Sequence, residues 1–150
     1  MKEIQLKKSY KRKPVLNLEN VKLVVSDMDG TLLNSQGEVS DVFFEQFQIL
    51  KKHNIQFVAA SGRQYNSIVD KLSFIKDDIF VIAENGGLVK KGNQLLQINA
   101  LAPEQIKKII PILREINNAN IVLCGKNGAF IESKNQDFIA LFQEYYQSYT

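Results

Sequence analysis

Short apolar runs alternate with amphipathic stretches along the first half of the chain. Residues 22–26 (KLVVS) read as a short buried strand that feeds directly into a polar turn, DMDGTLL at 27–33. Ser40 or Asp41 can cap a helix running to about His53, with Val42, Phe43, Phe47 and Leu50 spaced to line one face. Residues 55–60 (IQFVAA) form a second buried strand, Ser61, Gly62 and Arg63 its turn, and 64–72 a second helix. Residues 79–83 (IFVIA) form a third strand, again followed by a polar, Gly-rich turn, ENGG at 84–87. Strands alternating with helices at this spacing predict right-handed crossovers and a parallel sheet.

After Gly87 the pattern changes. Residues 88–98 have the look of a hairpin turning near Gly92. Pro103 can open a helix lasting to about Asn117, its stripe made by Ile106, Ile109, Ile110, Leu113 and Ile116. Pro111 lies inside that stripe, and an internal proline removes a hydrogen bond at a cost of about 3 kcal/mol, which predicts a kink or a late start. Residues 121–124 and 129–132 make a second hairpin, and 135–149 a final helix with Phe138, Leu141, Phe142, Tyr145 and Tyr149 on one side. The chain thus divides into an extension at 1–20, an α/β core at 21–87 and an α+β unit at 88–150.

Composition narrows this further. With 150 residues, 45% apolar and 23% charged, the chain has globular make-up, which excludes a disordered or collagenous protein. No apolar run approaches the roughly 20 residues of a membrane span. A lone Cys124 cannot form an internal disulfide, and the start lacks the apolar core of a secretory signal, so a reducing, cytoplasmic setting is expected. Residues 1–13 hold six basic side chains against Glu3 alone, so the net charge of +3 belongs to the extension and the body is at −2. No nucleic-acid-reading motif accompanies this basic arm. A solvated leader is the expectation, without a nucleic-acid or membrane partner.

The chemistry gathers at the strand ends. In open parallel sheets, ligands bind beyond the carboxyl ends of the strands, where all three polar turns fall. The first turn carries Asp27 and Asp29. Two carboxylates at one site repel unless a cation binds them or their proton affinities diverge. Mg2+ meets the first condition with one or two carboxylates, phosphate oxygens and water. Divergence meets the second, leaving one aspartate as ionised nucleophile and the other as proton donor. Gly30 and its neighbours leave room for backbone N–H groups to approach a phosphoryl oxygen. The second turn supplies the Ser61 hydroxyl and the forked cation of Arg63, and the third supplies Asn85. A nucleophile, an acid, a hydroxyl, a cation and anion-binding backbone on one edge describe phosphoryl transfer.

DMDGTLL after a buried strand resembles motif I of the haloacid dehalogenase (HAD) superfamily, and ASGR at 60–63 resembles its motif II as found in Cof-type sugar phosphatases. ENGG is similar to the turn at which such proteins leave the core for a type IIB cap. The resemblance covers residues 21–150 and implies an α/β fold: a Rossmann-like core with an inserted α+β cap. It implies that Asp27 attacks phosphorus and ligates Mg2+. Asp29 would act as acid then base and bind the metal through its backbone carbonyl, and Ser61 would hold a phosphoryl oxygen. Met28, Gly30, Thr31, Gly62, Arg63 and Asn85 are the remaining phosphate- or substrate-binding positions.

The chain also departs from the family pattern. The family's motif III lysine and its motif IV acidic cluster follow the cap, and no Gly-Asp pair occurs here. Core and cap are therefore both expected to be incomplete, with a further C-terminal segment or a second chain completing them. Standing alone, such a chain would leave the first strand as an open edge. The expected function is an Mg2+-dependent phosphohydrolase of a small phosphorylated metabolite. A phosphomutase or a catalytically incomplete binding module are the alternatives. The Asp pair is not a calcium loop, because Leu32 stands where that loop requires glycine. Cys124 is expected to be a small buried hydrophobe, and the C-terminal tyrosines core and surface.

Overall fold

The computed structural model describes residues 20–150; the basic arm at 1–13 lies outside them. The elements in chain order are β1 Leu23–Asp27, α1 Asp41–Lys52, β2 Gln56–Ala60, α2 Tyr65–Lys71, β3 Phe80–Ala83, β4 Leu88–Lys91 and β5 Gln94–Ile98. There follow α3 Pro103–Arg114, β6 Val122–Cys124, β7 Ala129–Ile131 and α4 Gln136–Gln143.

Strands β1 to β5 form one sheet in that order, with β1, β2 and β3 parallel and β4 and β5 antiparallel additions; β6 and β7 pair separately. The sheet is α/β and mixed. The hairpin placed by sequence in the 88–150 unit is thus hydrogen-bonded into the core sheet, with Ala83 opposite Leu88. The physical reason is the short turn at 84–87, which returns the chain directly onto the free edge of β3, a connection only an antiparallel neighbour permits.

Local signals account for the core helices. Ser40 caps α1 by accepting the Val42 N–H at 3.3 Å, and Lys51 and Lys52 complement its C-terminal end. Asn54, in the left-handed region at φ 54°, ends it. β2 is the central parallel strand, with Phe57, Val58 and Ala59 all buried, as expected of a strand covered on both faces. Phe43 of α1 meets Phe57 at 5.0 Å between ring centres. Ile68 from α2 and Leu72 at its C-terminal cap, then Ile75, Ile79 and Val81, complete a core whose members are at most a few per cent exposed.

Two helices differ from expectation. α3 begins at Pro103, so the late start predicted from Pro111 does not occur, and none of its residues is fully buried. α4 stops at Gln143 rather than near Tyr149, because the chain beyond finds better partners than its own helix. Ser148 accepts the Ala129 N–H at 2.9 Å, while Thr150 donates to Ala129 at 2.9 Å and accepts from Ile131 at 3.0 Å, laying the segment beside β7.

Candidate active site

Parallel pairing brings the three polar turns to one edge. Asp27, the last residue of β1, lies opposite Ala60, the last of β2, and Ala60 opposite Ile82 of β3. Beyond Asp27 the chain makes one wide turn, closed by the Leu33 N–H on the Met28 carbonyl five residues back at 2.8 Å. Gly30 supplies the left-handed step at φ 71° that this turn requires. Met28 is fully buried and pins the turn, so its side chain is not at the surface of the site; Asp29, Gly30 and Thr31 are exposed.

The second and third turns are knitted together. Ser61 donates its N–H to the Ile82 carbonyl at 2.9 Å and accepts the Asn85 N–H at 3.2 Å, and Glu84 donates to the Arg63 carbonyl at 3.1 Å. Glu84 and Asn85 both take positive φ, 52° each, an uncommon conformation for two successive non-glycine residues and one that clusters at functional sites. Gly62 allows the close approach: a Cβ there would stand 2.9 Å from Asn85 Oδ1. The Ser61 hydroxyl oxygen accepts the Arg63 N–H at 3.1 Å. Its own proton remains available, among the described residues, for an outside acceptor.

Arg63 does not face outward as a phosphate ligand would. It is 7% exposed, and its Nε and Nη2 donate to the two carboxylate oxygens of Asp29 at 2.9 and 2.6 Å. This bidentate bond holds the Asp29 carboxyl below the usual carboxylate range, against the opposing effect of its partial burial. The Arg63 fork thus favours the charged form of Asp29. No side chain among the described residues bonds to the Asp27 carboxylate, which is exposed at the strand end.

Three features were not visible in the sequence. Arg63 spans from the first turn to the C-terminal segment, donating through Nη1 to the Glu144 carbonyl and lying 4.6 Å from the centre of the Tyr145 ring. Tyr146 donates to Glu84 at 3.1 Å and meets Cys124 Sγ at 3.1 Å, so Cys124 is an exposed residue with a polar neighbour rather than a core hydrophobe. Lys71 of α2 adds positive potential at Asp29. All three join residues far apart in sequence, and no local pattern announces such pairs.

The site's oxygen-donor chemistry suits a hard cation. Asp27 offers a carboxylate with no competing partner among the described residues, and Asp29, its side chain taken by Arg63, has its backbone carbonyl to give. A magnesium site needs only one or two such protein oxygens, its remaining ligands being water and phosphate. Among the described residues there is no cluster of three or more His, Cys, Asp or Glu side chains that could form an all-protein cage. No helix among them is long and apolar enough to cross a membrane.

A family model for haloacid dehalogenase-like hydrolases matches residues 24–150. The chain is 32% identical over 128 residues to the 5-amino-6-(5-phospho-D-ribitylamino)uracil phosphatase YbjI of Escherichia coli, a match covering 85% of this chain and 47% of that protein. It is 31% identical over 116 residues to phosphomannomutase 2 of Dictyostelium discoideum, covering 73% and 45% respectively. Among solved structures it is similar to SMU.1108c of Streptococcus mutans, with a TM-score of 0.79 at 25% identity over 86% of this chain and 50% of that one. The chain spans about half the length of the curated relatives it matches.

Proposed function

The chain belongs to the haloacid dehalogenase-like hydrolase family, and from that premise we propose that it carries the nucleophile and phosphate-binding edge of an Mg2+-dependent phosphohydrolase. Its substrate class is a small phosphorylated metabolite, in keeping with relatives named as phosphatase and phosphomannomutase. The observation that carries the reading is the register that sets Asp27 opposite Ala60, so that a carboxylate with no partner among the described residues and the Ser61 turn emerge at one sheet edge.

In this reading Asp27 attacks phosphorus and the leaving oxygen departs with a proton from Asp29, giving an aspartyl phosphate. Water then attacks that phosphorus, loses its proton to Asp29 and releases inorganic phosphate. Ser61 donates its free hydroxyl proton to a phosphoryl oxygen, and Asn85, held by its bond to Ser61, borders the same opening. Magnesium, bound at Asp27 and the Asp29 carbonyl, would neutralise charge between nucleophile and phosphate. As the structure stands, Asp29 is prepared for the base half of the cycle, because Arg63 favours its ionised form.

Hydrolysis of p-nitrophenyl phosphate with Mg2+ tests the reading. Asp27→Asn is expected to lower the rate by about a thousandfold or more, since a carboxamide is a poor nucleophile. Equal rates in the two proteins would remove Asp27 as nucleophile. The match to a phosphomannomutase favours one second reading, transfer of the same phosphoryl group to a sugar hydroxyl. Release of inorganic phosphate from a hexose phosphate, against conversion into its isomer, separates the two.

A further inference from the structure

Buried polar side chains are few in the described residues, and three of them lie within five residues of one another: Arg63, Gln64 and Ser67, at 7%, 4% and 2% exposure. Two of the three reach the same distant stretch, residues 144–148. Gln64 donates its backbone N–H to the Tyr145 carbonyl at 3.3 Å and its Nε2 to the Ser148 carbonyl at 3.0 Å; its Oε1 accepts the Ser148 N–H at 3.1 Å. Arg63 donates Nη1 to the Glu144 carbonyl and, at 3.4 Å, to Ser67 Oγ, with the Tyr145 ring over its guanidinium. Gln147 adds a bond to Asp70 of α2 at 3.1 Å. The stretch is thus strapped along the start of α2 by the buried side chains of Arg63 and Gln64, with the exposed Gln147–Asp70 bond at its margin.

We infer that residues 144–148 act as a strap that fixes the Asp29 carboxylate through Arg63, making Arg63 a positioning residue rather than a phosphate ligand. Asp29's part in the reaction rests on the phosphohydrolase reading; the mechanical link does not. A guanidinium has five N–H donors, and four are engaged: two on Asp29, two on Glu144 and Ser67. A phosphoryl oxygen could take this fork only by displacing a carboxylate bound in bidentate geometry. A buried guanidinium must also stay paired, because a lone buried charge is strongly unfavourable. Unseating the strap therefore opens one side of Arg63 to water and loosens its hold on Asp29. Neutralising Asp29 leaves Arg63 unpaired and loosens the strap. Such a coupling is reciprocal by thermodynamic necessity.

Amide hydrogen exchange on the full protein reads the link without any assay of activity. In Asp29→Asn the amides of Gln64 and Ser148, which bond into the strap, are expected to exchange about tenfold faster. Asp27→Asn, two residues away but not bonded to Arg63, should leave them within twofold. Arg63→Lys, which keeps the charge and loses the fork, should behave as Asp29→Asn does. If Asp29→Asn and Arg63→Lys both match Asp27→Asn, the strap is not coupled to the site. A second arm uses Tyr145→Leu with p-nitrophenyl phosphate and inorganic phosphate. Positioning predicts kcat reduced about tenfold, with KM and phosphate affinity within threefold. An equal loss of phosphate affinity in Tyr145→Leu and Arg63→Lys would make Arg63 a phosphate ligand and overturn the proposal. Absence of turnover in the unsubstituted protein would count against the phosphohydrolase reading alone, with the exchange arm still deciding the coupling.

Discussion

Gly62 stands where two turns touch, and it is the Asn85 carboxamide that fills the space a side chain would need. In Gly62→Ala the new methyl would meet Asn85 Oδ1 at 2.9 Å, and the amide, being the end of a flexible side chain, would move aside more easily than backbone. The expected outcome is a small change in stability, under about 1 kcal/mol by urea denaturation, with kcat/KM reduced about tenfold or more as Asn85 leaves the opening. A loss of stability without a loss of rate would show that Asn85 is there for the turn alone. At this scale, sequence reading reached the residues whose place follows from their own strand. Asp27 ends an apolar run, which the structure leaves half-exposed rather than buried, Ser61 begins the next turn, and Asn85 lies in the third. It did not reach their partners. The Arg63 fork was visible and suited phosphate, but the anion it meets is Asp29, set beside it by β1–β2 pairing across 34 positions of sequence. The depressed Asp29 carboxyl follows from that contact and was equally out of view.

Elements with strong local signals were legible to within a residue or two: α1 through its Ser40 cap, β2 through its apolar run, the β4–β5 hairpin through Gly92. What failed was set by tertiary competition. α4 carries an apolar stripe that continues past Gln143 in sequence, yet the residues beyond trade helical bonds for the edge of β7 and for Gln64. α3 errs in the other direction. Its proline predicts a kink or a late start, and the helix instead begins at Pro103 and runs on to Arg114, with Ile106, Ile110 and Leu113 only half-buried. Pro111 has no N–H to offer, so one bond of the ladder is missing, and tertiary packing does little to offset it. Alanine there restores the bond. The roughly 3 kcal/mol propensity difference, less about 1 kcal/mol that proline contributes by restricting the unfolded chain, leaves about 2 kcal/mol for Pro111→Ala. Amide exchange in the middle of α3 is expected to slow by roughly thirtyfold, with core strands unaffected. An unchanged α3 would mean that its stability comes from contacts and not from the ladder.

For the molecule as a whole, the order β1-β2-β3-β4-β5 puts the strand that bears Asp27 at one end of the sheet. Among the described residues no strand pairs with its outer edge. Leu23 and Val25, two apart and so on one face, are 52% and 55% exposed. An unpaired apolar edge is a template for another chain, and sheet proteins commonly blunt theirs with lysine, proline or a covering element. Here the charge is missing where it would count, since the residues facing out along β1 are aliphatic down to Asp27 itself. Val25→Lys places a cation mid-strand at a position already more than half in water. Burial lost there is slight, so unfolding in urea should keep its midpoint, while association with other copies loses its flattest contact. Light scattering against concentration should show the substituted protein staying monomeric where the parent forms larger species. If both proteins associate alike, the contact lies elsewhere, and the 88% exposed ring of Phe74, packed edge-on against Phe44, becomes the next site to charge.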